Sequence, residues 1–183
     1  MQAYQATGNP TFLSTAENIA NYFFTHLPKD FVPYWDFDAP VTPTTPRDTS
    51  AAAIAADGLI MLSTVAGGSL AATYLREAKD ILGSLSSSYL DRLQNDPAHD
   101  GLAVLIDGSD NVPSNNGVDT SLIWGDYFFT EALLRLRNDL HPQWTLYDPA
   151  VPEPSIWAMM LIGFAGLGLA GYRASRQRAP VAA

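Results

Sequence analysis

Cysteine is absent from this 183-residue chain. That excludes a disulfide framework, thiolate metal ligation and thiol catalysis. Histidine is scarce: His26, His99 and His141 stand far apart without a ligand spacing, so neither a metal site nor a cofactor is expected. Cations are few as well. Residues 1–150 hold seven Lys/Arg against eighteen Asp/Glu. A body of that sign is not expected to bind nucleic acid, which needs clustered cations to displace counterions from phosphates. The N-terminus, Met1 to Pro10, lacks the basic start and apolar run of a secretory signal peptide. A helix begins a few residues later, which reads as a start inside a domain.

What is present is helical patterning broken by long loops. Phe12, Ala16, Ile19, Ala20, Phe23, Phe24 and Leu27 recur at three- and four-residue spacing, predicting a helix over Thr11–Leu27 that Pro28 stops. Residues 28–47 hold five prolines together with Phe31, Tyr34, Trp35 and Phe37. Proline fixes φ and removes an amide donor, so this stretch is neither regular helix nor central strand. Its aromatics predict an ordered loop pinned to the body.

Asp48 is placed to cap a second helix, about 49–66. Ala51, Ile54, Ala55, Gly58, Leu62 and Val65 line one face of it, Leu59, Ile60 and Met61 cover much of the rest, and only Asp57 is charged. A helix apolar nearly all round should be buried between neighbours. Gly67-Gly68 breaks the chain. A third helix is predicted from Ser69 to Gln94, with Leu75, Ala78, Leu82, Leu85, Tyr89 and Leu93 inward and Arg76, Glu77, Lys79 and Asp80 mostly outward. A second polar loop over 95–120 is interrupted by Leu102–Ile106, a strand or a buried piece of loop. Ser121–Asp139 forms the fourth helix, with Phe129, Ala132, Leu133, Leu136 and Leu140 in register. These helices suggest hairpins packed in a repeat, although no fixed period is visible.

The end of the chain is different. Val151-Pro-Glu-Pro154 precedes seventeen uncharged residues, Ile156 to Tyr172, followed by Arg173, Arg176 and Arg178. Seventeen is the lower end of the about 17–25 residues that cross a bilayer, and the arginines favour a cytoplasmic C-terminus. The competing reading is a buried core helix, but the segment is apolar on every face. Pro-Glu-Pro, short apolar span and arginine cluster, in that order, resemble a PEP-CTERM sorting signal. The resemblance implies an exported protein of a Gram-negative bacterium, held in the inner membrane or passed to the cell surface. It makes Pro152, Glu153 and Pro154 recognition residues for a sorting transpeptidase.

The body resembles the C-terminal part of glycoside hydrolase family 88, the unsaturated glucuronyl hydrolases. The matching stretches are Leu27-Pro-Lys-Asp-Phe-Val-Pro-Tyr-Trp-Asp-Phe-Asp-Ala-Pro40, Arg47-Asp-Thr-Ser-Ala-Ala-Ala-Ile-Ala-Ala-Asp-Gly-Leu59 and Leu122-Ile-Trp-Gly-Asp-Tyr-Phe-Phe-Thr-Glu-Ala-Leu-Leu-Arg-Leu136. The resemblance implies an all-α fold: an incomplete (α/α)6 barrel of about two helical hairpins, followed by a C-terminal transmembrane helix. Residues 1–145 would be the barrel portion, 146–155 a linker with the Pro-Glu-Pro motif, and 156–183 the membrane helix and basic tail. The implied reaction adds water across the C4–C5 double bond of a terminal unsaturated uronate on an oligosaccharide, through two aspartates. In the family those aspartates lie upstream of the matching region, so no catalytic residue is assigned in this chain and it is expected to be inactive alone.

Several residues carry two readings. Asp36 and Asp38, two apart in an extended segment, would sit roughly 7 Å from each other at a rise of about 3.3 Å per residue, inside the ~6.5–9.5 Å of inverting glycosidases. The favoured reading is that both shape the proline-rich loop. Arg47, Asp48 and Ser50 are candidates to line the sugar at the barrel mouth, against helix capping and a structural ion pair. The loop Asp107–Asp119 is no calcium loop, having Val112 where the turn needs glycine and no glutamate at its twelfth position. Some family members recognise sulfated substrate there with Ser-x-x-Ser-x-Lys. Ser114-Asn-Asn-Gly-Val-Asp119 keeps only the first serine, leaving Ser114 for contact with a sugar hydroxyl. Trp124, which heads the strongest local match, either stacks on a sugar or packs the barrel, with packing favoured.

Two functions follow as expectations. One is a truncated hydrolase-like protein sorted by its tail, with an unsaturated-uronate oligosaccharide, the membrane (through Ile156–Tyr172) and a transpeptidase as partners. The other is a non-enzymatic, surface-sorted carbohydrate-binding or interaction protein. A short barrel arc would also leave the apolar faces of the first two predicted helices bare, so residues 1–150 alone are expected to be poorly soluble.

Overall fold

The computed structural model describes residues 1–91 and 103–137. Among them are five α-helices and no strand: α1 Gln2–Thr7, α2 Pro10–His26, α3 Thr49–Ser63, α4 Gly68–Ser88 and α5 Ile123–Leu136. Four occupy the predicted positions. The short α1 was not foreseen. It buries no residue and ends at Gly8, whose φ of 66° suits a left-handed cap. Asn9 then caps α2, accepting from the amide of Thr11 at 2.9 Å, with Pro10 in the first turn.

α3 is the central helix. It packs against both α4 and α5, burying Ala52, Ala53, Ala56, Leu59 and Ile60. Ile81, Leu82 and Leu85 from α4, Phe129 and Ala132 from α5, and Val32 from the loop complete the core. The covered face of α3 differs from the one singled out in its sequence. Ala51, Ile54, Ala55 and Gly58 instead line an apolar groove of about 410 Å³ shared with Ala16, Ile19, Ala20 and Phe23 of α2. α2 itself has no fully buried residue, and Ile19 is 63% exposed.

On α4 Ala78, Leu82 and Leu85 of the expected stripe face inward, and the buried face is wider than that stripe. Tyr74, Glu77, Ala78, Ile81, Leu82 and Leu85 are buried. Glu77, expected outside, lies inside, and burial holds its carboxyl above the ordinary range.

The proline-rich loop is pinned as its aromatics predicted. Phe37 meets Tyr22, Phe23 and His26 at ring separations of 5.5–5.8 Å, and Phe31 stacks near Phe24. Val32 and Pro33 are buried. Leu102 and the end of the third predicted helix fall outside the described residues. The rest of the apolar run is loop, with Leu105 buried and Val104 exposed, and Leu105 pairs with Leu90 through one isolated antiparallel bridge. His99, His141 and the whole tail, including Pro152, Glu153, Pro154 and Ile156–Tyr172, also lie outside the described residues. Among the described residues no helix is long and apolar enough to cross a membrane.

Candidate functional site at the N-termini of α3 and α5

The proline-rich loop, the 103–122 loop and the first turns of α3 and α5 converge at one end of the helices. Asp48 is the joint. Its Oδ1 accepts from the amides of Ser50 (3.0 Å) and Ala51 (3.2 Å), satisfying donors that the first turn of a helix leaves orphaned. The same oxygen accepts from the Ser50 hydroxyl at 2.6 Å and from the Ser109 amide at 3.5 Å. Ser50 Oγ in turn accepts from Trp124 Nε1 at 3.1 Å. Trp124, Ser50 and Asp48 therefore form one chain of hydrogen bonds across two helices. Ser50 is buried, with its hydroxyl engaged on both sides, whereas Trp124 is 39% exposed. Gly125 makes the approach possible: a Cβ there would stand 3.1 Å from Ser50 Cβ and 3.3 Å from its Cα.

Arg47 faces the opposite way. Its guanidinium bonds the Val32 carbonyl at 2.6 Å and makes a two-point contact with Asp30 at 3.2 and 2.9 Å. It lies over the Tyr34 ring, 4.1 Å from the centroid. The Tyr89 hydroxyl donates to the same Asp30 at 3.0 Å. Burial, with Asp30 beside it, pushes this phenol up to about 12, so it stays a donor. Neighbouring contacts lock the loops: Thr49 Oγ1 donates to Ile106 O at 2.7 Å, and Ser109 Oγ donates to Arg47 O at 2.7 Å. Asp126 accepts from the amides of Val104 and Leu105 at 3.0 and 2.8 Å.

The structure thus brings Asp48, Ser50 and Trp124 into one network and seats Arg47 behind it. Ser114 is apart from them. Residues 108–120 form a small ribbon, bridged at Gly108–Thr120 and Asn111–Asn116, and Ser114 sits exposed near its tip in a single 3-10 turn capped by Asn111. Asp36 accepts from the Asp38 amide at 2.8 Å and so shapes its own loop, while Asp38 is exposed. Among the described residues no group of three or more His, Asp or Glu side chains is placed to hold a metal ion.

The sequence reading missed the ion pair inside the helices. Arg135 reaches Asp57 at 2.6 Å and Glu131 at 2.6 Å. Burial pushes the Asp57 carboxyl up to about 6, against the pull of Arg135. A lone acid on an otherwise apolar helix was the available signal, since such a charge needs a partner.

Interlocked loops at one end of packed helices, with an aromatic face at the rim, define the class: a helical scaffold presenting a loop-built site. Comparison supplies the relatives. Homologues named unsaturated glucuronyl hydrolase match about three quarters of this chain. That of Formosa agariphila is 39% identical over 138 residues, covering 74% of this chain and 33% of its own length. The crystal structure from Bacillus sp. GL1, described as responsible for glycosaminoglycan degradation, superposes with a TM-score of 0.67 at 33% identity, covering 74% of this chain and 36% of that one. The enzyme from Streptococcus agalactiae gives 0.68 at 31% identity, covering 78% and 35%. The chain therefore spans about a third of the length of the relatives it matches. Residues 150–178 match the PEP-CTERM protein-sorting motif, which points to export and sorting. The helical body is homologous to part of the unsaturated glucuronyl hydrolases, and the tail carries a sorting motif.

Proposed function

We propose that residues 1–145 supply part of the wall of an unsaturated glucuronyl hydrolase site, as an arc of an (α/α)6 barrel. The reaction is hydration of the C4–C5 double bond of a terminal unsaturated uronate on an oligosaccharide. The observation that carries this reading is the 39% identity over 138 residues. Within that wall, Trp124 offers its ring face to a sugar and Ser114 a hydroxyl at the rim. Arg47, Asp48 and Ser50 hold the rim in place. No residue of this chain is assigned as the acid/base, and the chain alone is inactive.

We further propose that residues 146–155 form a linker and that Ile156–Tyr172 span the inner membrane. Pro152, Glu153 and Pro154 are then read by a transpeptidase during sorting to the surface of a Gram-negative cell. The full chain in mild detergent, incubated with an unsaturated uronate disaccharide, should leave the absorbance of the conjugated double bond unchanged. Turnover by the chain alone would overturn its inactivity.

A second reading, a surface-sorted carbohydrate-binding protein, is favoured by the exposed Trp124 ring held from behind by Ser50. Glycan binding by the full chain that Trp124→Ala abolishes, without turnover, would select it.

A further inference from the structure

We infer that Trp124 and Tyr127 form a two-ring platform on α5, and that it receives the uncharged sugar ring next to the uronate rather than the uronate itself. The inference rests on the proposed reading of Trp124 as a sugar contact. Its physical basis is spacing. Residues i and i+3 of a helix are neighbours, with Cβ atoms about 5–6 Å apart, so these two side chains share one face of α5. Both are open to solvent, Trp124 39% and Tyr127 47% exposed, and Ile123 beside them is 80% exposed. Each ring is fixed by its polar end. Trp124 Nε1 donates to Ser50 Oγ at 3.1 Å. The Tyr127 hydroxyl turns toward the Glu131 carboxylate one turn on; partial burial, then that charge, raises the phenol, so it keeps its proton. Phe128 meets the Tyr127 ring edge-on, 5.1 Å between centroids.

With their hydrogen-bonding ends engaged by the protein, the rings offer a ligand their electron-rich faces. A pyranose matches that offer, because its C–H bonds lie on the flat sides of the ring and its hydroxyls at the edge. Side chains with only two χ angles, already held, also lose little freedom on binding. The surrounding charge then selects which ring of the substrate is taken. Residues 103–134 contain five acids, Asp107, Asp110, Asp119, Asp126 and Glu131, and no Lys or Arg. Arg135, the cation beside Tyr127, is shared by Asp57 and Glu131 at 2.6 Å each. Arg47 is turned onto Asp30. A uronate carboxylate laid on the platform would meet Glu131 while its cation is spent on two acids, and like charges repel. An uncharged ring escapes that repulsion, and its edge hydroxyls are donors suited to a carboxylate acceptor.

The test uses the full chain in a detergent without a sugar headgroup, and a disaccharide of an unsaturated uronate linked to an unsulfated hexose. Saturation-transfer NMR, irradiating the aromatic protons of the protein, reads which sugar ring lies on the platform. Transfer to the hexose protons should exceed transfer to the uronate protons. A neutral disaccharide of the same hexose should bind at least as well. Tyr127→Ala and Trp124→Ala should each weaken binding about tenfold, while Tyr127→Phe, which keeps the ring, should stay within about twofold. Circular dichroism checks the fold of each variant, and the transfer pattern of the unaltered chain needs no variant. Stronger transfer to the uronate overturns the inference. So does binding indifferent to Tyr127→Ala, although a loss with Trp124→Ala alone would keep the single-ring contact proposed above. Absence of sugar binding overturns both. A self-association of the chain that Tyr127→Ala abolishes, read by light scattering, would make this face an interface between copies and likewise overturn the inference.

Discussion

The two long sides of α3 both carry small and apolar residues and are unequal in structure. Toward α4 and α5, small residues at 52, 53 and 56 bring the helices close, Ser50 touches Gly125, and Asp57 is neutralised by Arg135. Toward α2, residues of the same kind face a groove. Apolar composition therefore does not tell which face is packed. The packed side is distinguished by its polar fixtures, because a buried charge or hydroxyl holds only one geometry. The open side has none.

The sharpest way to break this contrast is to remove a fixture. Arg135→Met leaves Asp57 and Glu131 buried without their cation. A loss of about 3–5 kcal/mol at neutral pH is expected from breaking a buried pair, read as a fall in urea midpoint of the full chain in detergent. The loss should shrink with acid. The Asp57 carboxyl ordinarily titrates near 3.8 and is raised to about 6 in the fold. Between those values the folded chain keeps a proton that the unfolded chain has released. The stability Asp57 contributes is thus fully present below 3.8 and lost as pH rises through about 6. In the Asp57→Asn chain this part of the pH profile should be flat. A penalty for Arg135→Met that is identical at pH 5 and pH 7.5 would mean the pair does not secure this side.

Gly125→Ala probes the same side sterically. The new methyl would press on the Ser50 backbone at 3.3 Å, so the first turns of α3 and α5 must separate, at a cost of about 1–3 kcal/mol. Trp124 would lose its bond to Ser50, which a red shift in tryptophan emission would report. Asp48→Ala should cost less, about 1 kcal/mol, the usual worth of a helix N-cap, again read as a urea midpoint.

These fixtures also mark how far the sequence could be read. The Asp48 cap, the helix positions and the pinned proline loop were legible because their signals are local: a capping residue before an alanine run, prolines at short intervals, aromatics between them. Asp57–Arg135 and Ser50–Trp124 join residues 78 and 74 apart, and no local spacing encodes such pairs. The covered face of α3 was misread for the same reason. With every face apolar, only the placement of α4 and α5 decides which is buried. On α4, Ala78, Leu82 and Leu85 were legible as inward, but the buried face also takes in Tyr74 and Ile81, and Glu77 with them. Among the candidate site residues, Asp48, Ser50 and Trp124 were individually legible through family motifs, although their union in one hydrogen-bond chain was not. The division of labour, with Ser50 buried and Trp124 at the rim, was not.

The smallest effect separates the two sides of α3 most cleanly, because it repeats one change in opposite surroundings. Gly58→Ala adds the same methyl as Gly125→Ala, but into open space. In a helix interior alanine is favoured over glycine by about 0.5–1 kcal/mol, through the backbone freedom glycine loses on folding. The full chain should therefore melt slightly higher, with an unchanged urea m-value. A gain at 58 beside a loss at 125 is what a packed side and an open side require. Should Gly58→Ala destabilise the chain, its Cβ must meet atoms on the groove side in solution. The groove would then already be filled, and the asymmetry of α3 would be lost.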